Sequence, residues 1–73
     1  MNGISAREIG QRIRALRKER KLTQETFAEA IGMTVSAVSK MEIGNRVPSV
    51  DTFVLLSEFF GVTLDYMVLG KAH

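Results

Sequence analysis

Five hydroxyl side chains punctuate this chain of 73 residues: Ser5, Thr23, Thr34, Ser49 and Thr63 each precede a run with helical spacing, and glycines stand where four of the runs end. A serine or threonine oxygen accepts from the free amides of a first helical turn, and glycine is the residue most often found just past a last one. The pattern predicts five short helices, and no segment alternates as a strand would. Ser5 with Glu8 reads as a capping box, and Ile9, Ile13 and Leu16 follow at helical spacing, so the first helix is expected over roughly 6–20 with a narrow apolar stripe. Thr23 opens a second helix of about 24–31 that buries Phe27, Ala28 and Ile31 and stops at Gly32. Thr34 opens a third with Val38 and Met41 turned inward, ending at Gly44. Ser49 opens a fourth that ends before Gly61, with Val50, Phe53, Leu56 and Phe60 on its core stripe, and Thr63 opens a last short one that ends before Gly70.

A chain this short buries only about 60% of the surface its unfolded form exposes, so one domain covering residues 1–73 is expected, and its core must be efficient. With no cysteine, neither disulfides nor thiolate metal sites can staple it, and apolar packing must hold it together. No apolar run follows a basic stretch at the N-terminus, and no segment approaches the ~20 apolar residues of a membrane span. A cytoplasmic location without membrane association is therefore expected, with no metal or cofactor.

Enzyme chemistry finds little material. The one histidine, His73, is terminal, which removes histidine-based metal sites and Ser-His pairs. Ser36 and Lys40 do not have the spacing of a serine-lysine nucleophile. Glu19, Glu25, Glu29, Asp51, Glu58 and Asp65 are scattered over solvent or capping positions, with no pair singled out. No enzyme activity is expected.

Charge is unevenly distributed. Residues 1–46 carry nine Lys/Arg against five Asp/Glu, and residues 47–73 carry one against three. Arg12, Arg14, Arg17, Lys18, Arg20 and Lys21 crowd one segment, which reads either as a footprint for phosphates or as an ordinary solvated helix face. Gly10, inside the first helix, reads equally as a point of close backbone approach or as a tolerated glycine on the wet side.

The second and third helices are joined by a turn of about three residues with glycine inside. That is the form of a helix-turn-helix, here about residues 23–43, whose helices cross at about 90–120° and whose second member can enter a DNA major groove. The stretch LTQETFAEAIGMTVSAVSKMEIGNRVPS resembles the Xre/Cro-like family of phage repressors and bacterial regulators. The resemblance extends over nearly the whole chain, from IGQRIRALRKERKLTQ to LSEFFGVTLDYMVLG. In that family a glutamine opens the first helix of the motif, here Gln24; an alanine sits at the close crossing, here Ala28; and apolar residues fill the places of Phe27, Ile31, Met33, Val38 and Met41. The resemblance implies an all-α, compact five-helix fold like that of the lambda repressor's DNA-binding domain.

With Val38 and Met41 inward, the third helix offers Val35, Ser36, Ser39 and Lys40 to a partner. They are short apart from the lysine, so base edges can approach. The resemblance places base reading on Val35, Ser36 and Lys40: a valine suits a thymine methyl, a serine a base-edge donor or acceptor, and a lysine guanine O6/N7 or a phosphate. Phosphate contacts are expected from Gln24, as in the resembling family, and from Arg46, with Arg12 and Arg14 adding to the field. The resemblance also implies a structural ion pair between Arg17 and Glu42.

On the fourth helix Val54, Leu55 and Phe59 lie off the core stripe, more apolar surface than a five-helix domain needs. Leu55 and Phe59, with Tyr66 and Val68 on the last helix, are expected to form a homodimer contact. The expected function is sequence-specific binding of double-stranded DNA as a homodimeric transcriptional regulator, with repression inferred from the family. With no sensor domain expected in 73 residues, control is expected to come through concentration or a partner. The competing expectation is a protein-binding module, an antitoxin or adaptor whose protein partner covers the fourth helix.

Overall fold

The structure, a computed structural model, describes residues 4–71, and among them it contains helices alone: α1 (Ala6–Glu19), α2 (Gln24–Ile31), α3 (Val35–Glu42), α4 (Val50–Phe60) and α5 (Leu64–Leu69). His73 lies outside the described residues. Each helix begins where a hydroxyl takes an amide of its first turn, as with Thr34 Oγ1 accepting from the Ala37 N–H at 3.0 Å. At α1 only half of the expected capping box forms. Ser5 accepts from the Glu8 N–H, but the Glu8 carboxylate turns to Arg12 at 3.4 Å, where a full charge is a stronger partner than the Ser5 amide. The reciprocal box lies at α2, where Thr23 and Thr26 each take the other's backbone N–H at 3.0 Å.

Between α1 and α2 the chain passes through Lys21 at φ 59°, a left-handed conformation that a side chain disfavours. The turn closes because the Leu22 N–H reaches the Arg17 carbonyl at 3.2 Å. Between α2 and α3, Gly32 holds φ 72° and the Met33 N–H bonds the Ala28 carbonyl at 2.8 Å, giving the expected three-residue turn.

The core gathers Ile9 and Ile13 of α1, Phe27 of α2, Val38 of α3, Leu56 of α4 and Met67 of α5, all fully enclosed, with Leu16, Ala28, Ile31, Met41, Phe53 and Phe60 around them. Val50 is not part of it. At 75% exposed it sits on the first turn of α4, before the helix reaches its neighbours, so the core stripe begins at Phe53. Phe59 is half-buried rather than free: its ring centroid lies 5.8 Å from that of Phe27 and 5.1 Å from that of Phe60, and the Arg20 guanidinium sits 5.5 Å above it. The cation over the ring shields an aromatic face that α4 alone would leave wet.

Candidate nucleic-acid interface

The site is built around α3. Because Val38 and Met41 are buried, the opposite side of this eight-residue helix carries Val35, Ser36 and Lys40 into solvent, with Ser39 and Ala37 half-buried at its margins. Apart from Lys40, nothing on that side is longer than valine, so another molecule can come close to the helix. Beside α3 runs a groove of about 280 Å³, lined by Met33, Ala37 and Met41 on one side and by Arg46, Val47, Pro48, Ser49 and Thr52 on the other. Ala37 and Val47 belong to this surface without having been expected there from the sequence. The available signal was the small side chain of Ala37, which leaves the groove open.

A buried polar cluster fixes the ends of the helix pair. Arg17 Nε donates to Glu42 Oε2 at 2.7 Å and Nη2 to Oε1 at 3.1 Å, while Nη1 donates to the Leu22 carbonyl at 2.7 Å. One planar guanidinium thus ties α1 to the turn before α2 and to the last turn of α3. The hydrogen bond with Glu42 raises the Arg17 pKa above its ordinary value, against burial, which lowers it. The guanidinium stays charged at any pH the fold meets. Gln24, half-buried at the start of α2, donates from Nε2 to the same Glu42 Oε1 at 3.1 Å. Its second amide N–H and its oxygen remain for a partner.

The cations expected to meet phosphates do not share one fate. Arg46, in the loop after α3, and Arg14, on α1 beside Gln11 and Lys18, are exposed. Arg12 is held within the fold. Its Nη1 donates to the Met67 and Val68 carbonyls at 2.9 and 3.2 Å, and its Nη2 pairs with Glu8, so the guanidinium caps the C-terminal end of α5. A helix C-terminus offers unpaired carbonyls and a partial negative charge, which is a better site for this half-buried cation than open solvent.

The residues expected at a dimer contact divide similarly. Leu55 is 39% exposed, whereas Phe59, Tyr66 and Val68 are half-buried and pack against the core. Val54, Leu64 and Leu69, also exposed, extend the apolar surface of α4 and α5. Among the described residues no group of three His, Cys, Asp or Glu is placed to hold a metal, and no helix is long and apolar enough to cross a membrane.

Comparison with known proteins gives concordant matches. A sequence profile of the family described as "Helix-turn-helix" matches residues 13–67. An uncharacterized HTH-type transcriptional regulator of Bacillus subtilis (strain 168), YqaE, is 33% identical over 65 residues, which cover 89% of this chain and 56% of that protein. The immunity repressor protein of Bacillus phage phi105 is 37% identical over 60 residues, 82% of this chain and 42% of the repressor. The chain thus spans about half the length of these curated relatives. Among solved structures, the P22 c2 repressor protein in complex with a synthetic operator superposes with a TM-score of 0.80 at 30% identity, covering 86% of this chain and 96% of that one.

Proposed function

Because the chain belongs to the helix-turn-helix family and has the five-helix fold of a phage repressor's DNA-binding chain, we propose that it binds duplex DNA sequence-specifically and regulates transcription, most simply by repression. In this reading residues 1–73 act as one domain with its motif over about 23–43, and α3 enters the major groove. The observation that carries the proposal is the solvent face of α3. It is short-chained along its length, ends in one lysine, and stands one left-handed glycine turn from α2. Val35 meets a thymine methyl, Ser36 and Lys40 meet base edges, and Ser39 lies at the margin. Gln24, Arg46 and Arg14 meet phosphates on either side. Arg12, held by the α5 carbonyls, adds its charge to the field around these contacts.

One such domain reads about half a site. We therefore assign dimerisation to the exposed α4 and α5 surface centred on Leu55, with the outer edges of Phe59, Tyr66 and Val68. The relatives, as transcriptional regulators, favour this reading over an antitoxin or adaptor. Such a protein works in the cytoplasm, where its DNA is. Selection of bound sequences from random duplex DNA, followed by titration with salt, tests the proposal. A defined sequence preference with steep salt weakening supports it, and salt-insensitive binding without preference refutes it.

A further inference from the structure

We propose that Gly10 is a positioning residue for base reading: α1 carries α3 at two points, Gly10 and Arg17, and together they fix where the exposed face of α3 stands. The inference rests on the assignment of α3 as the reading helix. Gly10 is buried inside α1, where glycine weakens a helix relative to alanine, so its presence asks for a packing reason. A Cβ on Gly10 would lie 2.5 Å from the carbonyl oxygens of both Met41 and Glu42 and 2.8 Å from the Glu42 carbonyl carbon. All three are backbone atoms at the end of α3, and they can yield only if the helix moves. Just beyond that end, a Cβ on Gly44 would lie 2.6 Å from the Arg7 Cα, so the chain leaving α3 rests on the first turn of α1.

The second point lies seven residues along α1, about 10 Å away on the same face. There Arg17 holds the Glu42 carboxylate with two hydrogen bonds. Glu42 is therefore gripped twice, by its backbone at Gly10 and by its side chain at Arg17. Both grips fall on the last turn of this eight-residue helix, about 12 Å long, so they set the depth of its C-terminal end, where Lys40 stands.

The consequence is selective. Restoring ordinary contact around a methyl group at position 10 requires α3 to withdraw by about 1 Å. Base-edge hydrogen bonds tolerate only a few tenths of an ångström around their usual length of about 2.9 Å. Attraction to phosphates falls slowly with distance and is screened over about 8–10 Å. A small withdrawal of α3 therefore removes discrimination while leaving non-specific attraction nearly intact.

The test measures affinity for two duplexes: the sequence that the wild-type chain selects from random DNA, and a random-sequence duplex of equal length. Gly10→Ala is expected to lower the ratio of the two affinities at least ~10-fold, with random-duplex affinity within ~2-fold of wild type and its salt slope unchanged. Arg17→Lys keeps the charge but loses the fork, and should lower the ratio in the same direction. Ile13→Val, between the two points but facing the core, should lower the melting temperature and leave the ratio alone. Wild-type discrimination in a folded Gly10→Ala variant overturns the proposal. So does an equal loss in Ile13→Val, or, where Gly10→Ala fails to fold, an unchanged ratio in Arg17→Lys. Unfolding of both Gly10→Ala and Arg17→Lys also overturns it, because the contacts would then hold the fold and not the pose. A wild type that selects no sequence defeats the assignment of α3 itself, whereas a selective wild type with equally selective variants defeats the positioning role alone.

Discussion

Removing one partner of the Arg17–Glu42 pair should cost far more than replacing both. The two side chains are 9% and 1% exposed, so each charge depends on the other in place of water. Glu42→Ala leaves the guanidinium with the Leu22 carbonyl but without its two carboxylate bonds, and it also strands the Gln24 amide. A buried charge stripped of its partner costs about 3–5 kcal/mol. A domain of this length holds roughly 4–11 kcal/mol in total, so the variant should lose a quarter of its stability or more. Arg17→Met should cost a similar amount, since the Glu42 carboxylate would keep only Gln24. The double variant Arg17→Met/Glu42→Leu removes both charges and refills the volume, and should cost less than either single change, within about 2 kcal/mol of wild type. Urea and thermal unfolding followed by circular dichroism on all four proteins give the coupling energy. The sign of the pH dependence follows from the raised Arg17 pKa. The stability it contributes is fully present below the ordinary guanidinium range and is lost only above it, so the coupling should not fall between about pH 7 and 10. Additive costs in the double variant would show the opposite, that the two charges do not depend on each other in place of water.

Four further outcomes follow from single positions. Lys21→Gly should stabilise the protein by about 0.5–1 kcal/mol, since glycine relieves the left-handed strain at φ 59° and returns only part of the gain as chain entropy; a lower melting temperature would contradict it. Arg46→Ala should weaken binding about equally on selected and random DNA and reduce the salt slope by about one unit, whereas Gln24→Ala should weaken binding with its slope intact; a changed base preference in either would contradict their phosphate role. Leu55→Lys should give a folded monomer by sedimentation with cooperative operator binding lost, because it sets like charges across the two-fold axis; a variant that still dimerises moves the interface elsewhere.

What the sequence disclosed was mostly local. A hydroxyl cap acts on an amide three residues away and a stop acts on the last turn, so the bounds of α2, α3, α4 and α5 could be read from neighbouring residues alone. The inward turn of Val38 and Met41, and with it the free face of α3, followed from helical period. Contacts between distant segments were less accessible. Arg12 looks like its cationic neighbours in sequence, and only folding brings the α5 carbonyls 55 residues away to its guanidinium. Val50 fits the core stripe of α4 by period, but period cannot tell where along a helix its neighbours begin. Phe59 was legible as apolar and off the stripe, whereas its cover, Arg20, comes from the C-cap of α1. Gly10 stayed open between two readings because a glycine gives the same local signal wet or buried, and the α3 carbonyls against it decide the matter. Lys21 carries no turn signal of its own, since its left-handed backbone is imposed by the Leu22 bond to Arg17.

Base reading by the exposed face of α3 is the point on which the proposed function turns. Its most direct test is the affinity of Ser36→Ala and Lys40→Ala for the sequence selected by the wild type, each measured beside a random duplex and a thermal melt. The expected result is a loss of roughly 1–3 kcal/mol on the selected sequence for each base-edge contact removed, a much smaller loss on random DNA and a nearly unchanged melting temperature. Wild-type affinity in both variants, or an equal loss on both duplexes in both, would contradict it.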